Sequence, residues 1–450
     1  MFTFSNGVHP KGRKGISAGA EIGRGPDPET VYVPLSQHIG RPAVPVVQAG
    51  QRVLCGELIA KAAEGLSANV YSPVSGTVKG VVGHITLSGK KADHILIEND
   101  HADEKVFLPP LAEISRESVL SRIAEAGIVG MGGAAFPTVA KLGTDKKIDV
   151  LVVNGAECEP YITCDYRIML EYTEELLKGI RHCMAACGAP HAVIGIESNK
   201  KDAAAKLSRA AGNGVSVKIL KTKYPQGAEK QLVYGCTGRT IPEGRLPADA
   251  GVLVVNVHTA LAVYKAVDEN TPCYERVMTV SGKRADKPAN IWVKNGTLYR
   301  DVAQFCGAHE DCARIVSGGP MMGEPVFSLK ICTGKGTSSL LFLDDSECVS
   351  KQAEPCIGCG RCVQACPMGL SPVFIERAVF DKRYDEAEAF GADWCIGCGC
   401  CSYVCPAKRF LVQSVKLGKK VLRERREREK ERAASAAAGN NAEGAEKKDV

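Results

Sequence analysis

The chain has 450 residues, 45% hydrophobic and 24% charged, with a formal net charge of +6. That is ordinary globular composition on a chain too long for one core, so two to four domains are expected. No window of eighteen uninterrupted apolar residues offers a membrane span, the polar opening Met1-Phe-Thr-Phe-Ser-Asn-Gly7 does not read as a secretory leader, and no basic, aromatic-interleaved surface suggests a nucleic-acid partner.

Residues 1–110 read as short strands at 31–35, 52–55, 57–60, 68–71, 76–79 and 94–98, separated by Gly, Pro and Ser. Residues 50–59 and 67–78 (SANVYSPVSGTV) resemble the two halves of a biotinyl/lipoyl-like barrel-sandwich domain. The Met-Lys-Met or Asp-Lys context of a cofactor-bearing lysine is missing between them. A packing module without a swinging arm is expected.

From 111 to 270 helices alternate with short apolar strands, the pattern of an α/β layer fold. Helices are expected at 118–126, 166–186, 201–211, 227–236 and 260–266, and strands at 149–154, 191–196, 215–220 and 251–257. In the longest helix Met169, Tyr172, Leu176, Ile180 and Cys183 form an apolar stripe at helical spacing, read as core. Gly130-Met-Gly132-Gly133-Ala-Ala135 fits a G-x-G-x-x-A fingerprint, but a helix rather than a strand precedes it. Bare backbone at these glycines lets amide groups approach a phosphate or a ring, and a helix beginning near Pro137 presents its positive end. Asn154, Glu157 and Glu159 follow the carboxyl end of a strand, where open α/β sheets place ligands. A solvated loop is the competing reading of the two glutamates.

Residues 271–335 return to strands (276–281, 289–293, 297–299) with a helix at 301–306, the size of a β-grasp module. Residues 345–418 hold Cys-x-x-Cys-x-x-Cys-x-x-x-Cys-Pro twice: Cys356, Cys359, Cys362, Cys366, and Cys395, Cys398, Cys401, Cys405. This is the two-cluster bacterial ferredoxin signature, whose fourth cysteine reaches across to the other cluster. It implies one [4Fe–4S] cluster on Cys356, Cys359, Cys362 and Cys405, and a second on Cys395, Cys398, Cys401 and Cys366. A zinc site would prefer two separated pairs. Cys400 falls outside the spacing and reads as a bystander. The other cysteines carry no ligand pattern and fit a reducing cytoplasm. The stretch 373–388 between the runs is helical in pattern. Residues 416–432 are densely charged, with Glu424 four before Arg428. With 419–450 as a low-complexity tail, a solvated, fraying helix is expected, or a basic surface for anionic lipid or an acidic partner.

GMGGAAFPTVAKL followed by LVVNGAECEP resembles the pocket of the flavoprotein subunit of respiratory NADH dehydrogenase. The resemblance implies an FMN approached by Gly130, Gly132 and Gly133, contacted by Lys141 and Asn154. Phe136 would lie near the nicotinamide, and Glu157 and Glu159 would help place flavin and NADH. In KYPQGAEK and VNVHT, Glu229 joins the pocket and Asn256 and Thr259 lie by the flavin phosphate. Ala156 stands where that family carries an acidic residue.

Over residues 2–420 the chain is similar to the RnfC family, the C subunits of Rnf (Rsx) ion-translocating electron-transport complexes, through FSNGVHP, PLSQHIGRPAVPVV, SPVSGTVKG, NGAECEPYIT, SGGPMMG and CSYVCPAKRFLVQ. His258 and Cys400 depart from it. The family implies a multidomain α/β and α+β protein: barrel-sandwich, central FMN/NADH domain, β-grasp domain and helical two-cluster domain. It implies a peripheral subunit on the cytoplasmic face of the cell membrane, exchanging hydride with NAD(H) and single electrons with partner subunits, and indirectly with ferredoxin. A soluble flavin/iron–sulfur reductase and a flavin-less relay scaffold are the alternatives.

Overall fold

The computed structural model describes residues 3–348 and 352–446. The chain forms two compact units, Met1–Phe4 with His9–Val349, and Ser5–Val8 with Ser350–Val450.

In the first unit, strands Thr30–Pro34, Lys91–Asn99, Gly76–Ile85 and Arg52–Val53 form one antiparallel sheet, and Val44–Pro45, Leu58–Lys61 and Val70–Tyr71 another. Alternate residues point inward, and Val31, Val33, Ile59, Val70, Val78, Ile95 and Ile97 make the core. The strands expected at 76–79 and 94–98 run on as a long hairpin. Its far end, Ile85, packs on the core of another module, a partner that no local pattern announces.

The central module is a parallel sheet in the order Val215–Leu220, His191–Glu197, Val150–Gly155, Val252–Asn256. The helix expected at 166–186 is two helices, Cys164–Glu171 and Thr173–Cys187, broken at Tyr172 (φ −117°, ψ 43°). Tyr172 is held by tertiary contact: its hydroxyl accepts from Trp292 Nε1 at 3.0 Å, and the two rings meet edge to face. The rest of the stripe, Met169, Leu176, Ile180 and Cys183, is core as expected.

A mixed sheet follows in the order Ile22–Arg24, Ala289–Lys294, Glu275–Ser281, Ser339–Leu343, Arg314–Ser317, Glu324–Pro325. Glu275–Ser281 and Ser339–Leu343 lie parallel at its centre, and helix Tyr299–Phe305 adds Tyr299, Val302 and Ala303 to its core, the β-grasp arrangement. The sheet draws on strands outside 271–335. Residues 297–299 do not form the expected strand. Tyr299 already opens the helix, drawn in by burial and by a hydroxyl bond with Ser317 Oγ at 2.9 Å.

The second unit is helical. The segment expected as one helix over 373–388 forms Pro372–Phe380 and Tyr384–Ala389, separated where Lys382 takes φ 58°. Both pack on helix Leu411–Glu446 around Ile375, Val379, Ala387, Val415 and Leu422. A Cβ at Gly418 would meet Val379 Cγ2 at 2.5 Å, so glycine there permits the close crossing. The charged run is therefore not wholly solvated. Leu422 is core, Arg425 pairs with Asp385 at 2.8 Å, and Arg426 pairs with Glu388 and Asp393. The fraying expected of the tail falls in part on residues 447–450, outside the described residues. Among those described, no helix is long and apolar enough to cross a membrane.

Candidate functional site

The parallel sheet reverses its strand order beside Val150–Gly155. The chain moves outward through 191–197 and 215–220, then returns with Val252–Asn256 on the opposite side. In open α/β sheets the crevice outside the carboxyl ends at such a switch takes the ligand. Asn154 and Asn256 are register partners at those ends.

The glycine loop lies against this crevice. Gly130 N–H donates to Phe136 O at 2.8 Å, and Met131 N–H donates to the buried Thr259 Oγ1 at 2.9 Å. Gly132 sits so close to Asn256 that an added Cβ would meet its Cβ at 3.0 Å. Gly132 and Gly133 are exposed, Phe136 is half-buried, and a Cβ on Gly133 would have nothing within 4 Å. Lys141 donates to Glu229 Oε1 at 2.9 Å and Val254 O at 3.2 Å, while Asn154 Nδ2 donates to Gly227 O at 2.9 Å. Thus Gly130, Gly132, Lys141, Asn154, Glu229, Asn256 and Thr259 converge through direct contacts.

Glu157 and Glu159 are not in a solvated loop. Glu157 takes φ 45°, its side chain is 3% exposed, and Oε1 accepts from the N–H of Asp165 at 2.8 Å, capping the next helix. Glu159 accepts from the N–H of Met321 at 3.1 Å and of Met322 at 3.0 Å, with the Tyr224 hydroxyl at 3.3 Å. It thereby clamps the SGGPMMG segment. Gly319 permits the approach, since a Cβ there would overlap Glu159 Oε2 at 2.1 Å.

Four buried or half-buried ionisable groups beside these were not singled out in the sequence, where no spacing marks them. Lys14 Nζ donates to Ile162 O at 2.6 Å and lies 3.4 Å from Glu157. Asp165 accepts from Asn256 Nδ2 at 2.6 Å. Lys200 Nζ donates to Ala156 O at 2.7 Å and lies 3.6 Å from Glu197, with burial pulling the lysine down and the carboxyl up.

Burial pushes the Glu159 carboxyl up to about 7 against the pull of its amide donors. Asp165 also rises to about 7, through burial and then the neighbouring Glu157. The native state then holds protons that the unfolded chain releases. From the ordinary glutamate value of 4.5 to about 7, stability therefore falls as pH rises. Melting followed by near-ultraviolet dichroism should decline across this window, and Glu159→Gln should flatten the slope. An unchanged slope in the variant would contradict the assignment.

These residues fit a flavin mononucleotide. Exposed, side-chain-free backbone lies at a switch-point crevice, and just past the loop Thr138 Oγ1 is buried with no hydrogen-bond partner among the described residues.

In the second unit both cysteine runs share Ile-Gly-Cys-Gly, and both glycines of each take left-handed backbone: Gly358 and Gly360, Gly397 and Gly399. Glycine enters this left-handed region without steric cost, so both runs take the same turns. Cys395, Cys398 and Cys401 line one apolar cavity together with Cys366, the fourth cysteine of the other run. Burial raises the thiols of Cys366, Cys395 and Cys401, and neighbouring cysteines raise them further. Cys362 and Cys405 both pack against the cluster of Cys401, Leu411 and Val412, while Cys356 and Cys359 are exposed. Cys400 lines the same cavity as Cys398 and is fully buried. Backbone amides point at sulfur, among them Gly397 N–H at Cys395 Sγ (3.3 Å) and Leu370 N–H at Cys366 Sγ (3.4 Å). Asn6, from the FSNGVHP segment, donates to Cys366 O at 3.1 Å. Soft thiolate donors around an apolar cavity fit iron–sulfur chemistry.

Comparison with known proteins agrees with these modules. Residues 2–102 match the RnfC barrel sandwich hybrid domain, 123–265 the Nuo51 FMN-binding domain, and 348–430 a 4Fe-4S dicluster domain. The C subunit of the proton-translocating ferredoxin:NAD(+) oxidoreductase complex of Clostridium ljungdahlii is 44% identical, covering 95% of this chain and 96% of its own. The C subunit of the Na(+)-translocating complex of Acetobacterium woodii is 40% identical over 93% of this chain and 96% of its own. The C subunit of the ion-translocating oxidoreductase complex of Rhodobacter capsulatus is 42% identical over 95% and 84%. With relatives at 40–44% identity over 93–95% of its length, and with barrel-sandwich, FMN-binding and 4Fe-4S dicluster domains, the chain belongs to the RnfC family of ion-translocating oxidoreductase complexes.

Proposed function

We propose that the protein is the electron-transfer subunit of a membrane-bound, ion-translocating ferredoxin:NAD+ oxidoreductase. The observation that carries this reading is the pairing, in one chain, of a switch-point flavin crevice with a cavity lined by thiols of both cysteine runs. When bound, FMN supplies the exchange of a hydride with NAD(H) for single electrons, and the clusters carry those electrons one at a time.

The chain's own residues hold and orient. Gly130, Gly132 and Gly133 offer backbone to the flavin; Lys141, Asn154, Glu229, Asn256 and Thr259 shape its crevice. Phe136 covers the nicotinamide side. Glu157 caps the helix that carries Asp165, and Glu159 holds the SGGPMMG segment, through which it would orient the nicotinamide. Glu159→Gln is therefore expected to keep flavin while slowing its reduction by NADH. Cys356, Cys359, Cys362 and Cys405 would hold one cluster, and Cys366, Cys395, Cys398 and Cys401 the other. Attachment at the cytoplasmic face of the membrane would run through the partner subunits of the complex.

The test is the content of an anaerobic preparation. About eight irons and about eight acid-labile sulfides per chain are expected, with one FMN that NADH bleaches. Tightly bound zinc without iron would end the cluster reading. Full iron without flavin, and no uptake of added FMN, would leave a relay scaffold.

A further inference from the structure

Two cations of the first unit stand out for their burial. Lys335 is 0% exposed and Arg276 is 1% exposed, and neither forms an ion pair with a carboxylate among the described residues. Lys335 Nζ donates to Asn69 O at 2.6 Å and Gly127 O at 2.7 Å. An ammonium has three donors, so one N–H is left over. The packing is tight: a Cβ on Gly127 would meet Lys335 Nζ at 2.9 Å.

Arg276 braces the glycine loop directly, and Lys335 holds Gly127, three residues before it. Arg276 Nη1 donates to Lys335 O at 2.8 Å and lies 3.4 Å from Met131 O. Gly336 is in van der Waals range of the loop, where its Cβ would meet Ala135 Cβ at 3.6 Å and Gly133 O at 3.8 Å. The barrel-sandwich module completes the brace: Gln37 Oε1 accepts from Lys335 N–H at 3.1 Å, and Ile39 N–H donates to Ala135 O at 3.3 Å. The acidic groups that act on Arg276 are the buried Cys164 thiol and then Asp165, whose carboxyl burial pushes up to about 7. Burying a charge without an opposite partner is strongly unfavourable; burial pulls the Lys335 ammonium down toward its neutral form, and an anion arriving beside it would hold it charged.

We propose that Lys335, braced by Arg276, is a positioning residue for the flavin: a fixed cation behind the glycine loop whose counter-charge is an anionic group of bound flavin mononucleotide. That group is either the phosphate or the reduced ring. Hydride from NADH brings two electrons and one proton, so a ring that gains no second proton carries one negative charge. The inference rests on flavin occupying the crevice. It also gives the armless barrel-sandwich module a task, since Gln37, Ile39 and Asn69 hold the cation and the loop in place.

The test compares full-length, cluster-loaded wild type with Lys335→Gln, which keeps N–H donors but no charge, and Lys335→Arg. Without flavin, Lys335→Gln is expected to melt at or above wild type, because an uncompensated charge is gone. With flavin, one of two losses is expected. FMN bound at least tenfold more weakly, with riboflavin unaffected, assigns the phosphate. Reduced flavin bound tenfold more weakly relative to oxidised, a two-electron midpoint potential lower by about 30 mV, assigns the ring. Lys335→Arg should recover most of either loss. Wild-type flavin affinity and potential in Lys335→Gln would overturn the proposal. So would a flavin-free Lys335→Gln that melts lower or does not fold, because the charge is then compensated within the protein. Wild type that takes up no flavin would refute the crevice reading instead.

Discussion

Replacing Gly132 with valine is expected to abolish flavin retention while leaving both clusters in place. Even a single added carbon at this position would sit 3.0 Å from Asn256 Cβ and 3.2 Å from its Cγ. Valine adds two methyl groups beyond that. Asn256 cannot easily retreat, because its side chain accepts from His258 N–H at 2.9 Å and donates to Asp165 at 2.6 Å. The loop must move, at an overpacking cost of about 1–3 kcal/mol, which corresponds to flavin binding weakened roughly 5- to 150-fold. The cysteine runs belong to the other compact unit, so their visible absorbance serves as a folding control. Gly130→Ala is the informative companion. Its added methyl would find Phe136 backbone atoms at 3.6 and 3.7 Å, an ordinary contact. Loss of flavin in that variant would report direct approach of the flavin to Gly130. Normal NADH bleaching in Gly132→Val would remove this loop from the pocket.

Cys366→Ala and Cys405→Ala should each remove the cluster held mainly by the other run, leaving about four of about eight irons. Cys366 lines the cavity of Cys395, Cys398 and Cys401, and Cys405 packs against the same cluster as Cys362. Paramagnetic resonance of the dithionite-reduced variants distinguishes the two clusters. Cys366→Ala should lose the signal that Cys398→Ala also loses, and Cys405→Ala the signal lost in Cys359→Ala. A variant that lost only the cluster of its own run would refute the crossed assignment.

Much of this was legible in the sequence because it is written at short range. Ligand spacing in the cysteine runs, period-two alternation at 30–34 and the helical stripe through Leu176, Ile180 and Cys183 are each specified within a few residues. The order of strands and helices from 149 to 267 followed from the same periodicities, and the glycine loop from its composition. What only the tertiary structure decided depends on partners distant in the chain. Trp292 breaks the helix at Tyr172, and Ser317 draws Tyr299 into a helix where its local pattern reads as strand. Glu159 resembles a loop carboxylate until Met321 and Met322, more than 160 residues on, supply its hydrogen bonds. Leu422 is one of a few apolar residues in a charged run until it meets Ile375 and Val379. Lys335 and Arg276 carry no motif at all. Burial is a property of three-dimensional surroundings, and a linear pattern records only which side chains are available, not which of them lose their water.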